Sequence, residues 1–231
     1  MSCVNAERLQ DLAHEEAFER FWTHAENWVE KPNSRRGGIS GVIRTNCNGE
    51  TVYIKKQVNH LHYSIRHPFG RPTALREHEA LEAVKRLGLT VPDVIFCDSQ
   101  RVGGDYRTIL VTRDLHGYLP LEEFLLQATP APQEMVAVIR AVAQTLAILH
   151  RNRWQHGALY PKHIFISRQG DGYGAALIDL EKMRRRLTIK RAGQRDLAQL
   201  SRHQRCWNQA EWSQLLAVYQ NTLVADLTTL P

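Results

Sequence analysis

"HGALYPKHIFIS", residues 156–167, is a loop bearing two histidines, His156 and His163, that runs directly into an apolar strand. A glycine-bearing turn (168-RQGDGYG-174) and a second apolar run (175-AALIDLE-181) follow, predicting a hairpin whose second strand ends at Asp179. A carboxylate there either holds a hard cation or caps the next turn.

Working outward, 132-PQEMVAVIRAVAQTLAILH-150 places Met135, Ile139, Val142, Leu146 and Leu149 on one helical stripe that Pro132 opens. Trp212, Leu215, Leu216 and Tyr219 recur at helical spacing, so residues 118–231 read as a mostly helical part. Residues 33–117 read differently. Here 33-NSRRGGISGVIR-44 and 50-ETVYIKK-56 form a hairpin across the Asn-Cys-Asn-Gly-Glu turn. A helix follows in 71-RPTALREHEALEAVKRLG-88, with Thr73 as N-cap, Gly88 as stop, and Leu81, Val84 and Glu77 on one face. Then 92-PDVIFCDS-99 and 106-YRTILVTRD-114 pair across Gly103-Gly104-Asp105. Before all this, Leu9, Leu12, Phe18, Phe21, Trp22 and Trp28 predict an amphipathic helix over residues 5–28, so that residues 1–32 form an N-terminal helical extension.

A chain of 231 residues accommodates one domain or two tightly joined lobes, and 43% apolar with 23% charged residues is the balance of a soluble globular protein. No apolar run reaches the roughly 18 residues of a membrane span, and Glu7, Asp11, Glu15 and Glu16 interrupt any leader-like stretch. These features predict a cytoplasmic protein. The four cysteines, Cys3, Cys47, Cys97 and Cys206, lie far apart and read as reduced thiols. The net charge of +6 is concentrated in Lys182, Arg184, Arg185, Arg186, Lys190, Arg191, Arg195, Arg202 and Arg205, opposed only by Asp196. Such a run is either a solvated helix face or a field for an anionic partner: a phosphorylated sugar, nucleic acid or the inner face of the inner membrane. Nucleic acid ranks last, for want of a binding motif or an aromatic platform.

Three further features carry chemistry. Strand alternation puts Val52 and Ile54 on one face and Tyr53 and Lys55 on the other. Glu77, on the inward face of its helix, requires a partner, because an unpaired buried charge costs several kcal/mol. Lys55 is the natural one, with Lys56 as the alternative. Gly37, Gly38 and Gly41 either offer backbone N–H donors to phosphates or simply make a turn. His60, His62 and His67, with Arg66 and Arg71, read as a solvated or anion-facing loop rather than a metal cluster.

The ordered set of glycine-bearing hairpin, strand lysine, helix glutamate, His-Gly-x-Leu loop, hairpin and Asp-Leu-Glu is far more specific than any member. It is carried by 28-WVEKPNSRRGGISGV-42, 52-VYIKKQVNHLHYSIRHPFGRPTALRE-77, 110-LVTRDLHGYLPLEEF-124, 156-HGALYPKHIFI-166 and 178-IDLEKMRRRL-187. On these stretches the chain resembles the lipopolysaccharide kinases, which phosphorylate Kdo or heptose of the lipid A core, and most closely their acid-inducible InaA-type branch. The resemblance covers nearly all of positions 28–219.

The resemblance implies an α+β, protein-kinase-like bilobal fold, with a small β-rich N-lobe over 33–117 and a shortened helical C-lobe over 118–231. It implies ATP with Mg or Mn as cofactor, Lys55 on the phosphates, Glu77 orienting Lys55, and Asp179 on the metal. His163 stands where a second metal ligand is usually asparagine. Ala158 stands where sugar kinases of this fold keep the aspartate that accepts the substrate's proton. His156 or Tyr160 is then left either to carry the proton or to support the loop, and Asp196 is expected to cap a helix. General-base catalysis typically contributes about 10² to 10⁴ in rate, whereas positioning and charge neutralisation dominate phosphoryl transfer. Two functions are therefore expected to compete: an ATP-dependent phosphotransferase on an anionic sugar or lipopolysaccharide core, and a pseudokinase that binds nucleotide or a partner in an envelope or acid-stress response. A peripheral contact with the inner face of the inner membrane is compatible with either.

Overall fold

Alternating apolar residues build the first of two compact units, which comprises residues up to Leu81 together with Pro92–Asp114. The computed structural model describes residues 14–24, 28–35, 37–47 and 49–225. In this unit the elements are α1 (His14–Trp22), β1 (Trp28–Arg35), β2 (Gly38–Cys47), β3 (Glu50–Val58), β4 (Leu61–Ser64), β5 (His67–Pro72), α2 (Thr73–Lys85), β6 (Val94–Val102) and β7 (Asp105–Arg113). Five strands form an antiparallel sheet in the order β1-β2-β3-β7-β6.

The expected alternation along β3 holds. Val52 and Ile54 are buried in a cluster with Ile43, Phe96, Ile109 and Val111, and Ala17, Phe18 and Phe21 of α1 close that cluster. Burying a phenylalanine contributes about 1.5–3 kcal/mol, so α1 is part of this unit's core rather than an appendage. The helix ends at Trp22, earlier than expected, and Trp28 opens a strand; Leu9 and Leu12 lie outside the described residues. Lys56, on the same face as Ile54, donates from Nζ to the carbonyls of Trp22 (2.6 Å) and His24 (3.0 Å) and so ties off the end of α1.

The N-cap of α2 also differs from expectation. Gln57 Oε1 accepts from the Ala74 N–H (3.0 Å) and the Thr73 hydroxyl (3.1 Å), so a side chain of β3 does the capping. At the other end Gly88 N–H reaches the Lys85 carbonyl and Leu89 N–H the Val84 carbonyl, which is the Schellman closure predicted for Gly88. The hairpin β6–β7 is as expected. The histidine-rich loop after β3 is a second hairpin, β4–β5, forming its own two-stranded sheet.

The second unit takes Glu82–Val91 and the residues from Leu115 onward. Its elements are β8 (Leu119–Pro120), α3 (Leu121–Ala128), α4 (Pro132–Arg151), β9 (Trp154–Gln155), β10 (Ile164–Gln169), β11 (Gly172–Leu177), β12 (Arg184–Arg185), α5 (Ile189–His203) and α6 (Gln209–Ala225). Helix α4 is its centre: Ile139, Val142, Leu146 and Leu149 are buried as the periodicity predicts, joined by Val138, while Met135 is only part-buried. It packs on α6, α5 and β11. Hairpin β10–β11 pairs in register from Ile164↔Leu177 to Gln169↔Gly172, so the second strand ends two residues before Asp179. With a sheet in one unit and most helix in the other, the secondary structure is the expected α+β mixture.

Cys97 and Cys206 are free thiols, but Cys47 is disulfide-bonded, against the expectation from spacing alone. Chain separation does not report which thiols a fold brings together. Cys3 lies outside the described residues.

Candidate functional site

In the first unit, Lys55 lies on the face of β3 opposite the α1 cluster and pairs with Val42 of β2 and Leu110 of β7, which in turn pairs with Cys97 of β6. Glu77 of α2 is buried over this row. Lys55 Nζ donates to Glu77 Oε2 at 2.5 Å, with the side chains 17% and 8% exposed. The contact is charge-assisted, and burial strips away the water that would weaken it. Cys97 registers the same environment: burial first, then the nearby Glu77 and Asp98 carboxylates, push its thiol up to about 12. Lys55 rather than Lys56 is therefore the lysine held by a helix carboxylate, as alternation predicts.

The glycines have another explanation. Gly37 takes a left-handed conformation (φ +76) in the turn between β1 and β2, so the glycine segment follows a strand instead of preceding the first one. A Cβ on Gly38 would sit 2.3 Å from the Asn59 carbonyl oxygen, and one on Gly41 2.6 Å from the Trp28 ring. Close packing within the unit thus accounts for both.

In the second unit the loop 156–163 is held by its own backbone. His156 is fully buried, and burial outweighs the pull of Asp196 to bring it down to about 4, so the ring is neutral near pH 7. The Ala158 N–H donates to its Nδ1 (3.3 Å), which leaves the protonated Nε2 to donate to the Ile178 carbonyl (3.0 Å). Both nitrogens are occupied, and the ring supports the loop. Ala158 is 1% exposed and brings only a methyl group to the position where the resemblance implies a base.

His163 ends a short 3₁₀ turn, Pro161–His163, and its ring stacks on that of His156 at 6.1 Å. Its Nδ1 lies 2.7 Å from the Ala158 carbonyl oxygen, which can only accept, so Nδ1 carries the proton. In the neutral ring Nε2 then has a lone pair, 3.5 Å from Asp179 Oδ2. Two electron-pair donors facing each other call for a cation or a proton between them. Asp179 itself adopts a left-handed backbone (φ 57, ψ 58), an uncommon conformation that costs about 1–2 kcal/mol and is best tolerated by Asp or Asn. Among the described residues no group of three or more His, Cys, Asp or Glu side chains forms a ready-made metal site, and His60, His62 and His67 do not assemble one.

Asp196 is a correction. Helix α5 is capped by Thr188, whose hydroxyl accepts from the Arg191 N–H, while Asp196 lies mid-helix and fully buried. Its carboxylate accepts from the backbone N–H of His156 (2.6 Å) and Gly157 (3.0 Å) and from His150 Nε2 (3.1 Å). Burial alone would raise its pKa, but the bonds from His150 and Gly157 prevail and hold it below the usual range. His150 Nδ1 in turn meets the Tyr219 hydroxyl at 3.0 Å. Gly193, one turn before Asp196, makes room for that hydroxyl: a Cβ there would lie 2.2 Å from it. His150, Gly193 and Tyr219 had no sequence signal beyond helical periodicity, since their partners are remote in the chain.

The basic run is fastened to the same loop. Strand β12 pairs with β9 (Arg184↔Gln155, Arg185↔Trp154), Arg186 Nε donates to Gln155 Oε1 at 2.5 Å, and Arg185 lies over the Trp154 ring at 5.7 Å. Partial desolvation, then the like charges of Arg186 and Arg195, lower the pKa of Arg184.

The chain is 36% identical over 205 residues to Protein InaA of Escherichia coli (strain K12), covering 87% of this chain and 94% of InaA. Its fold matches that of "WaaP in complex with acyl carrier protein" with a TM-score of 0.64 at 21% identity, over 89% of this chain and 87% of the other. Residues 19–219 match the family model described as "Lipopolysaccharide kinase (Kdo/WaaP) family", so a match over most of the chain and a relative above 30% identity agree: the chain belongs to the lipopolysaccharide kinase (Kdo/WaaP) family.

Proposed function

We propose that this protein is an ATP-dependent phosphotransferase of the lipopolysaccharide-core type, working with a catalytic loop that lacks the usual carboxylate base. The observation that carries the reading is the 2.5 Å Lys55–Glu77 pair, which fixes an ammonium on one face of the sheet as nucleotide phosphates require. The donor set fits the cofactor: Lys55 would hold phosphate oxygens, and Asp179 with Nε2 of His163 would hold a divalent cation. An imidazole beside a carboxylate favours Mn²⁺ over Mg²⁺ relative to an all-oxygen site. When bound, metal–ATP supplies the transferable phosphoryl group and neutralises charge as it develops.

The chain's own residues supply the rest of the site. Lys55 aims charge, while Asp196 and His156 hold the loop backbone that positions Ala158, His163 and Asp179. The glycines add little to the nucleotide assignment, because packing explains them. Arg184 and Arg186, tied to the strand that leads into the loop, together with Arg195 of α5 would draw in a phosphorylated sugar or the anionic lipopolysaccharide core.

A pseudokinase is the second reading, supported by the buried methyl of Ala158 and by the full use of both His156 nitrogens. Thermal unfolding with ATP plus Mg²⁺ or Mn²⁺ tests the nucleotide site that both readings share. Ligand at about a hundred times its dissociation constant adds roughly 2.7 kcal/mol, a rise of several degrees in Tm. The rise should vanish in Lys55→Ala and Asp179→Ala; no rise at millimolar ATP in the wild type would remove the phosphotransferase and leave a pseudokinase only as a binder of a partner. Phosphate transfer to lipopolysaccharide core then separates enzyme from pseudokinase.

A further inference from the structure

The hairpin β4–β5 displays three large apolar side chains around its tip: Ile65 is 102% exposed, Phe69 90% and Tyr63 66%. Elsewhere among the described residues the exposed large apolar side chains (Val29, Ile39, Leu126, Leu187, Val224) are scattered singly along the chain, which needs no explanation. Three within seven residues on one hairpin do need one. Leaving them in water forgoes burial that any partner would recover.

The hairpin is well fixed. Ser64 pairs with His67, so Ile65 and Arg66 are the two turn residues, and the Ser64 hydroxyl accepts from the His67 N–H at 3.2 Å. At its base Arg71 makes two hydrogen bonds to the Glu79 carboxylate, at 2.8 and 2.6 Å, fastening β5 to α2. The tip residues are therefore held outward by a braced element.

Charge identifies what they meet. From Thr51 to Arg76 the chain contains no aspartate or glutamate, and Arg66 sits in the turn itself beside His67, while Arg71 at the base is matched by Glu79. Exposed aromatic, aliphatic and cationic side chains on one hairpin are the composition that settles at a bilayer surface, with rings and aliphatic groups among the headgroups and arginine on lipid phosphates. A protein partner fits less well. A stable protein interface buries roughly 800 Å² on each side, which a two-residue turn and its flanks do not supply, whereas a fluid bilayer closes around a small convex tip.

We propose that the β4–β5 hairpin is a membrane-surface anchor, inserting Ile65, Phe69 and Tyr63 among the headgroups of an anionic bilayer while Arg66 engages lipid phosphates. The anchor is independent of nucleotide binding and of phosphotransfer. A single short apolar tip gives reversible, charge-assisted attachment rather than permanent insertion.

Co-sedimentation of the full chain with vesicles tests it, using phosphatidylcholine alone and phosphatidylcholine with about a third phosphatidylglycerol, without nucleotide. The wild type should partition onto the anionic vesicles and much less onto the neutral ones. Ile65→Ser with Phe69→Ser leaves every charge in place, yet should weaken partitioning at least about tenfold. Arg66→Glu should weaken it severalfold. Because Ile65 is fully exposed, circular dichroism should show both variants folded with an unchanged Tm. Undiminished binding by the double variant would overturn the anchor and assign any vesicle binding to the basic run at 182–205. Equal binding to neutral vesicles, or none to either, would overturn it as well. Sedimentation velocity of the protein alone gives one more arm: if the wild type self-associates and the double variant does not, the tip is a contact between copies and the proposal falls.

Discussion

The two regions that carry the candidate chemistry handle buried polarity in opposite ways. In the first unit, Lys55 and Glu77 neutralise each other through one short bond, so the glutamate fixes the direction of a charge. In the second, the Asp196 carboxylate is buried without a formal cation demanded beside it: two backbone N–H groups and His150 satisfy it, and it fixes the course of a loop. One region aims charge; the other preserves shape.

The contrast breaks most readily at Asp196. Asp196→Ala leaves two loop N–H groups and His150 without their acceptor, and should destabilise the protein by about 3–5 kcal/mol in urea titration. A loss under 1 kcal/mol would mean that the loop does not depend on this carboxylate.

Acid sharpens the same comparison. His156 is held neutral in the fold, down to about 4, against an ordinary value near 6.5 in the unfolded chain. Between those values the unfolded state binds more protons, so stability should fall as pH drops from about 6.5 towards 4, by about 3 kcal/mol in all. Asp196, depressed below its ordinary range, adds a further loss only below the unfolded aspartate value of about 4. Denaturation curves at pH 7, 5.5 and 4.5 should show the histidine's slope, and His156→Gln should flatten it.

The base itself can be put back. Ala158→Asp should raise any phosphotransfer by about 10², the lower end of general-base effects, provided circular dichroism shows that the buried position accepts a carboxylate. An unchanged rate in a folded variant would argue that Ala158 does not occupy the base position. The smallest effect is expected at Tyr219→Phe, which removes one buried hydrogen bond to His150 and should cost about 1 kcal/mol. Tyr219 itself, pushed up to about 12 by burial and then by the Asp196 charge, stays protonated throughout.

Much of the first region was legible in the sequence, because it is written in local periods. A two-residue period placed Lys55 on its face of β3, and a helical period placed Glu77 opposite. Strand β1 escaped, since Pro32 and its polar neighbours show no alternation; as the sheet's edge strand it tolerates them. The second region was legible only in its loop and hairpin. The bonds that brace it join Asp196 to residues 39, 40 and 46 positions away, and His150 to Tyr219 across 69. Periodicity carries no information over such separations. Gln57 capping α2 from a neighbouring strand was hidden for the same reason.

Gly193 bears on how the chain tolerates shortening. Its bare α-carbon admits the Tyr219 hydroxyl to His150, so the last described helix reaches the catalytic-type loop by way of one phenol, one imidazole and one carboxylate. A protease cut or premature stop ahead of residue 219 would leave all the sequence motifs of the family in place. The loop would keep Asp196 but lose the Tyr219 hydroxyl that steadies His150 behind it, and a tally of motif residues would not register the damage.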